Sequence, residues 1–258
     1  MTNERRVLVH PDADALVAAV SARFLTKLTD LLDEHHEANV VLTGGTLGEA
    51  VQKAVATSPM RSAIDWTRVH FWWGDERFVP KDDPDRNEVQ AREALLQHLP
   101  TAEDHIHPFP ASDEIEDIDA AAEAYAQELR DHADPALRLP VPRFDITFLG
   151  VGPDGHIASL FPEHGVTRDG QDLVVSDEDS PKPPPRRLSL TLPVINSSQR
   201  IWMVLAGTEK ASALGLALAG ASPEEVPVAG AEGRLRTVFF IDGDAASHVP
   251  ADLIASQY

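Results

Sequence analysis

Asp154 and His156 stand two residues apart in the stretch FDITFLGVGPDGHIASLFP, Phe144 to Pro162. An imidazole with a pKa of about 6.5 can take a proton from water at neutral pH, and a neighbouring carboxylate can orient it. The pairing points to general-base chemistry. Most histidines are surface or satisfied core groups, and this chain has 11. His156 differs from the others by its place. Phe144 to Leu149 reads as a buried strand, Gly150 and Gly152 break it, and Pro153-Asp154-Gly155 turns the chain toward a short helix. Ligands in open α/β sheets sit beyond the carboxyl ends of the strands.

Other polar residues stand at strand ends where they could reach that point. Thr43-Gly44-Gly45-Thr46 lies between a strand and a helix. Its glycines let backbone N–H groups approach an anion at a helix start. Thr46-Leu47-Gly48-Glu49 also spells a capping box, which would close the same helix without a ligand. Asp75, Glu76 and Arg77 follow an apolar strand. They read either as a solvated charge cluster or, through the planar fork of Arg77, as a grip on a phosphate or hydroxyl-bearing ligand. Thr208 reads as an N-cap, which places Lys210 in the first helical turn. A cation there opposes the helix dipole unless a bound phosphate or a nearby acid compensates. Arg186 and Arg187 enter a strand, and alternation allows only one to point inward.

Several chemistries are disfavoured. Gly150 to Gly155 matches the dinucleotide pattern G-x-G-x-x-G, but Pro162 stops any long helix after it. The lysine of a nucleotide-triphosphate loop is missing, as is a Gly-x-Ser-x-Gly elbow. The chain has no cysteine, hence no disulfide, thiolate nucleophile or cysteine-zinc site. His35, His36, His105 and His107 invite a metal, yet no His-x-x-x-His spacing with a partner acid appears, so no metal site is expected.

The elements that must position these residues read in order along the chain. Strands are expected at Arg6 to His10, Asn39 to Leu42, Val69 to Trp73, Ile106 to Phe109, Phe144 to Leu149, Leu173 to Ser176, Arg187 to Leu192, Ile201 to Ala206 and Thr237 to Ile241. Helices are expected from Asp12 to Leu32, with Asp12 as N-cap, then to about Thr57, Asn87 to Leu99, Ile115 to His132 and Glu209 to Ala219. A short helix closes the chain. Strand, glycine-bearing turn and helix repeat, which implies α/β architecture with a mostly parallel sheet and helices on both faces. No composition break divides residues 1–258, so one domain is expected, with 163–185 as an excursion and a possible lid.

Hydrophobic residues make up 43% of the 258 residues, enough for a proper core. The formal net charge of −20 repels nucleic acid and anionic membranes. An anionic substrate therefore needs basic residues converging locally. No apolar run reaches membrane-span length and no signal-peptide layout opens the chain, so a cytoplasmic protein is expected.

The motifs TGGT at 43–46, WWGDERFVP at 72–80, FLGVGPDGHIASLFP at 148–162, RRLSLTLPVIN at 186–196 and GTEKA at 207–211 resemble the 6-phosphogluconolactonase family nearly end to end. The resemblance implies a three-layer α/β/α fold shared with glucosamine-6-phosphate deaminases. It implies hydrolysis of 6-phosphoglucono-1,5-lactone in the pentose phosphate pathway, with no cofactor and no metal. By position, His156 would be the general base and Asp154 its orienting partner. Thr43, Gly44, Gly45, Thr46, Asp75, Arg77, Arg187 and Lys210 would hold the substrate, chiefly its phosphate, as a monomer or weak homo-oligomer. Deaminases continue Asp-Gly-His with Ile-Ala-Phe-Asn-Glu-Pro; here Phe161 stands where that glutamate belongs. A sugar-phosphate sensor of the same fold would carry a basic DNA-binding domain, for which this chain has no spare segment.

Overall fold

The computed structural model describes residues 4–164, 172–249 and 254. Strand β1 (Glu4–His10) leads into α1 (Ala13–Glu34), β2 (Ala38–Leu42) and α2 (Gly45–Thr57). Then come β3 (Val69–Trp73), β4 (Asp75–Arg77), α3 (Asn87–Ala94), β5 (Ile106–His107), α4 (Ile118–Asp131) and β6 (Phe144–Gly150). The chain finishes through β7 (Val174–Asp177), β8 (Arg187–Leu190), α5 (Leu192–Asn196), β9 (Arg200–Leu205), α6 (Ala211–Leu218) and β10 (Arg236–Asp242).

Seven strands form a parallel sheet in the order β1-β10-β9-β6-β2-β3-β5. The order reverses beside β2 and β6. From β2 the chain moves outward to β3 and β5, whereas β6 is followed by β9 on the other side. Such a reversal opens a crevice at the carboxyl ends of the two strands. The strands read as unbroken apolar runs because both faces are covered. All five residues of β3 are buried, and so are Phe144 to Leu149.

The helices form where polar caps meet apolar stripes. Asp12 accepts the Ala15 N–H at 2.8 Å. Leu16, Val20, Phe24, Leu28 and Leu31 of α1 then bury one face at helical spacing. Asp117 does the same for α4, whose Ala121, Tyr125 and Leu129 are buried. α1 packs on α2 and α2 on α3. Across the sheet, Tyr125 of α4 stacks on Phe109 at 3.7 Å between ring centroids and meets Trp72 edge-on at 6.4 Å. No helix among the described residues is long and apolar enough to cross a membrane.

Three local expectations give way. Residues 75–77 form strand β4 rather than a loop, and pair antiparallel with β8, itself paired with β7 in a second, three-stranded sheet. The Asn87 to Leu99 segment is helical only to Ala94, after which Leu96–His98 tightens into a 3₁₀ turn. No helix begins at His156; the turn closes instead through bridges of Ile157 to Val151 and to Leu160. The pairing of β6 with β2 is irregular. The register slips between Asn39 and Val40, which pair with Phe144 and Ile146 and skip Asp145. Phe144 therefore packs on Trp72, while Phe148 packs on Phe24 of α1. Of the 163–185 excursion, residues 165–171 lie outside the described residues; Val174–Asp177 is the expected edge strand.

Candidate active site

A cleft of about 530 Å³ opens at the carboxyl ends of β2, β6 and β9. Thr43, Gly44, Gly45, Thr46, Asp75, Arg77, His156, Arg187 and Lys210 all line it. Asp154 stands behind His156, with Oδ1 2.5 Å from the imidazole Nδ1. It also accepts the His156 backbone N–H at 3.3 Å. The turn that carries the pair is closed on itself: Gly152 N–H donates to the His156 carbonyl at 2.9 Å and Gly155 N–H to the Gly152 carbonyl at 3.0 Å. Gly155 sits at φ +83°, which a side chain rarely adopts, against Val226.

With the Nδ1–H donated to Asp154, Nε2 is the ring atom left to accept a proton. The ring is fixed further by Phe161, 4.6 Å away between centroids. Lys182 Nζ lies 3.2 Å from His156 Nδ1 and 3.8 Å from Asp154 Oδ1. Burial pushes the Asp154 carboxyl up, but the His156 hydrogen bond and charge, with the Lys182 ammonium, outweigh it. They hold the carboxyl well below the usual carboxylate range. Asp154 is thus a permanent anion, suited to orienting the imidazole.

The floor of the cleft is the start of α2. The helix begins at Gly45, at φ +80°, so Gly44 is the N-cap and no side chain caps it. The expected capping box does not form, because the helix starts two residues too early for Thr46 to be its N-cap. The first N–H groups of α2 consequently face the cleft without a side-chain partner, the condition under which a helix N-terminus attracts anions. Thr43 closes the turn from the other side, its hydroxyl accepting the Gly150 N–H at 3.3 Å.

β4 and β8 supply one wall. Arg77 and Arg187 face each other in register. Arg187 is the inward member of its pair, 6% exposed. Its guanidinium donates to the carbonyls of Pro184 at 2.7 Å and Pro183 at 2.9 Å, which fixes the segment that carries Lys182. Burial lowers the Arg187 pKa, against the pull of Asp75. Arg186 points away, over the Phe78 ring at 4.7 Å. Arg77 binds the Asp85 carbonyl. Its Nε is buried without a hydrogen-bond partner. Asp75 accepts the Ser159 hydroxyl at 2.6 Å and takes Asn87 Nδ2 on its carbonyl at 2.9 Å.

Glu76, between them, is wholly buried. It accepts the N–H groups of Arg77 at 2.9 Å, Asn87 at 2.7 Å and Glu88 at 2.9 Å, tying β4 to the start of α3. Burial pushes its carboxyl up to about 7 despite Arg86 and those three donors. Lys210 closes the far side. Thr208 does not cap a helix: Thr208–Lys210 is a 3₁₀ turn after Gly207, and α6 begins at Ala211. Burial lowers the Lys210 pKa, and Glu209 opposes that.

Sequence reading missed Lys182, Asn87 and Glu209, which also line the cleft, as does Phe161, noted from sequence only as standing where deaminases carry a glutamate. The signal for Lys182 was a lone cation in the proline run 181–185. Asn87 carried none: it reaches the cleft because Glu76 anchors the start of α3. The outcome is a cleft with four cationic side chains, Arg77, Lys182, Arg187 and Lys210, in a chain of net charge −20.

Comparison with known proteins points to one family. The family model for glucosamine-6-phosphate isomerases/6-phosphogluconolactonase matches residues 11–239. The chain is 46% identical over 255 residues to the 6-phosphogluconolactonase of Streptomyces coelicolor, covering 98% of each chain. It is 44% identical over 245 residues to that of Mycobacterium tuberculosis, covering 94% of this chain and 98% of the other. Among solved structures, 6-phosphogluconolactonase from Thermotoga maritima superposes with a TM-score of 0.80 at 29% identity, over 93% of this chain and 100% of that one. A monomeric glucosamine-6-phosphate deaminase shares the fold, with a TM-score of 0.76 at 21% identity over 94% and 99% of the two chains. The three-layer architecture and the sequence similarity agree: the chain belongs to the glucosamine-6-phosphate isomerase/6-phosphogluconolactonase family.

Proposed function

We propose that this cleft hydrolyses 6-phospho-D-glucono-1,5-lactone to 6-phospho-D-gluconate, the lactonase step of the pentose phosphate pathway, with His156 as general base. The observation that carries the reading is the Asp154–His156 pair, 2.5 Å apart, at the mouth of a cleft lined by cations. A lactone is already activated, so the site needs positioning and one base, without a covalent nucleophile. His156 Nε2 takes a proton from water as the water oxygen bonds to C1. The carbonyl oxygen becomes an oxyanion. Collapse of that intermediate breaks the bond from C1 to the ring oxygen, and the imidazolium returns its proton to the departing oxygen. Asp154 holds the ring and stabilises the imidazolium.

Arg77, Arg187 and Lys210 provide positive charge for the phosphate. The uncapped start of α2 offers N–H groups to an anion, either that phosphate or the oxyanion. The test is a pair of assays on the purified chain. Lactone made in situ from glucose 6-phosphate should disappear faster than its spontaneous rate. Glucosamine 6-phosphate should release no ammonia, since Phe161 packs on His156 where deaminases carry an acid. Ammonia release without lactone hydrolysis would reverse the assignment.

A further inference from the structure

At the outer edge of the seven-stranded sheet lies a cluster of histidines and glutamates, none of which lines the cleft. His70 is on β3, His107 ends β5, and Glu128 and His132 are one turn apart at the C-terminal end of α4. The rings are held firmly. Trp72 stacks on His107 at 3.8 Å with the planes 7° apart, and meets His132 edge-on at 5.4 Å. His105 stacks on His70 at 3.9 Å.

A line of polar contacts runs through them. Glu37 Oε2 is 3.5 Å from His70 Nε2, and His70 Nδ1 is 3.0 Å from His107 Nε2. His107 Nδ1 is 2.7 Å from Glu128 Oε1, which is 3.6 Å from His132 Nδ1, a nitrogen whose own hydrogen bond is to the Glu128 carbonyl at 3.0 Å. Two neutral imidazoles bring two ring protons to the three junctions between Glu37 and Glu128. One junction is left without a proton, so that two lone pairs face each other there unless a further cation fills it. If His70 gives its N–H to Glu37, and His107 gives its own to His70, the unprotonated atom is His107 Nδ1. It then faces Glu128, with His132 alongside. That assignment also serves His70 Nε2, which is buried and otherwise has no hydrogen bond.

We propose that His107, Glu128 and His132 form a binding site for zinc or a neighbouring first-row divalent ion, with water completing the coordination. Their ligand atoms lie within 4.8 Å of one another. Around tetrahedral zinc such atoms sit about 3.3 Å apart, given bonds of about 2.0–2.1 Å. Glu128 and His132 are 40% and 38% exposed, so they can make the small adjustment and leave an entry path. Two imidazoles and one carboxylate suit zinc. His70 and Glu37 form the outer chain that fixes the tautomer and orientation of a metal-bound histidine. The absent His-x-x-x-His spacing does not count against the site. The helix contributes Glu128-x-x-x-His132, and folding brings the third ligand from β5. The ion would join α4 to the edge strand and take no part in the cleft.

The test is calorimetric titration of the chelator-stripped full chain with Zn²⁺, beside Glu128→Gln and His132→Ala. One ion per chain is expected, bound about tenfold or more weakly by each variant. Both variants replace partly exposed side chains and should keep wild-type lactone hydrolysis. Co²⁺ bound to the wild type should give the visible absorption of a low-symmetry nitrogen–oxygen site, a readout that needs no variant. No stoichiometric Zn²⁺ binding, or equal binding by both variants, would overturn the proposal.

Discussion

A methyl group on Gly152 would sit 2.0 Å from His156 Nδ1 and 2.4 Å from Asp154 Oδ1. Both are side-chain atoms that can move, so Gly152→Ala should fold but push the pair out of line. Misplacing a catalytic group by about 1 Å can cost about 10²-fold. The expected result is a fall of that order in kcat with a melting temperature within a few degrees of wild type; unchanged kcat would mean the pair's geometry is not limiting. Lys182 makes a second case at this scale. Its ammonium helps keep Asp154 ionised. A hydrogen-bonded charge is worth about 1.5–3 kcal/mol, so Lys182→Met should lower kcat/KM about tenfold or more. Steady-state kinetics that match wild type would leave Lys182 a bystander. The place of His156 in the cleft, beside Asp154, was legible from one sequence because strand, glycine break and dyad are contiguous. Lys182 was not, because its approach depends on Arg187 holding the carbonyls of Pro183 and Pro184.

Strands and helices were legible where a single local cause dominates. Asp12 and Asp117 cap α1 and α4, and apolar runs mark the central strands. Elements decided by distant partners were not. Asp75 to Arg77 has no apolar pattern, yet it is a strand because β8 pairs with it and Glu76 is satisfied by α3. The capping box failed for a related reason: Asn87 packs against Gly44 and the helix starts at Gly45. The sheet edge supplies a prediction of its own. His70 is held down to about 4, chiefly by burial and then by His105 and His107, with His132 also opposing and Glu37 favouring its charge. In the unfolded chain a histidine titrates at about 6.5. Between those values the unfolded chain binds a proton that the folded chain does not, so stability is present above about 6.5 and is lost as pH falls toward about 4. With a chelator present, urea unfolding should show up to about 3 kcal/mol of loss over that window from this group. His70→Gln should remove that part of the slope. An identical slope in the variant would assign the acid sensitivity to other groups.

The molecule as a whole carries a charge of −20, while the proposed substrate is an anion. The fold resolves the conflict locally. β4, β8, the proline segment before β8 and the turn before α6 bring the cations of the cleft to one place and leave most of the acids elsewhere, many on α4 and the segment before it. The same scaffold serves a deaminase, so the scaffold alone does not select the reaction. On the proposed reading, what selects it is the content of the cleft: His156 as base, Asp154 to orient it, a cationic wall, and Phe161 in place of an acid. The central claim is that His156 activates the water. Its most direct test is the rate of lactone hydrolysis by His156→Ala beside wild type, with lactone generated by glucose-6-phosphate dehydrogenase at mildly acidic pH to suppress the background. A positioned general base contributes about 10²–10⁴-fold, so kcat should fall by that factor while circular dichroism and melting temperature are kept. A folded variant that retains wild-type kcat would contradict the account and move the base to another group of the cleft.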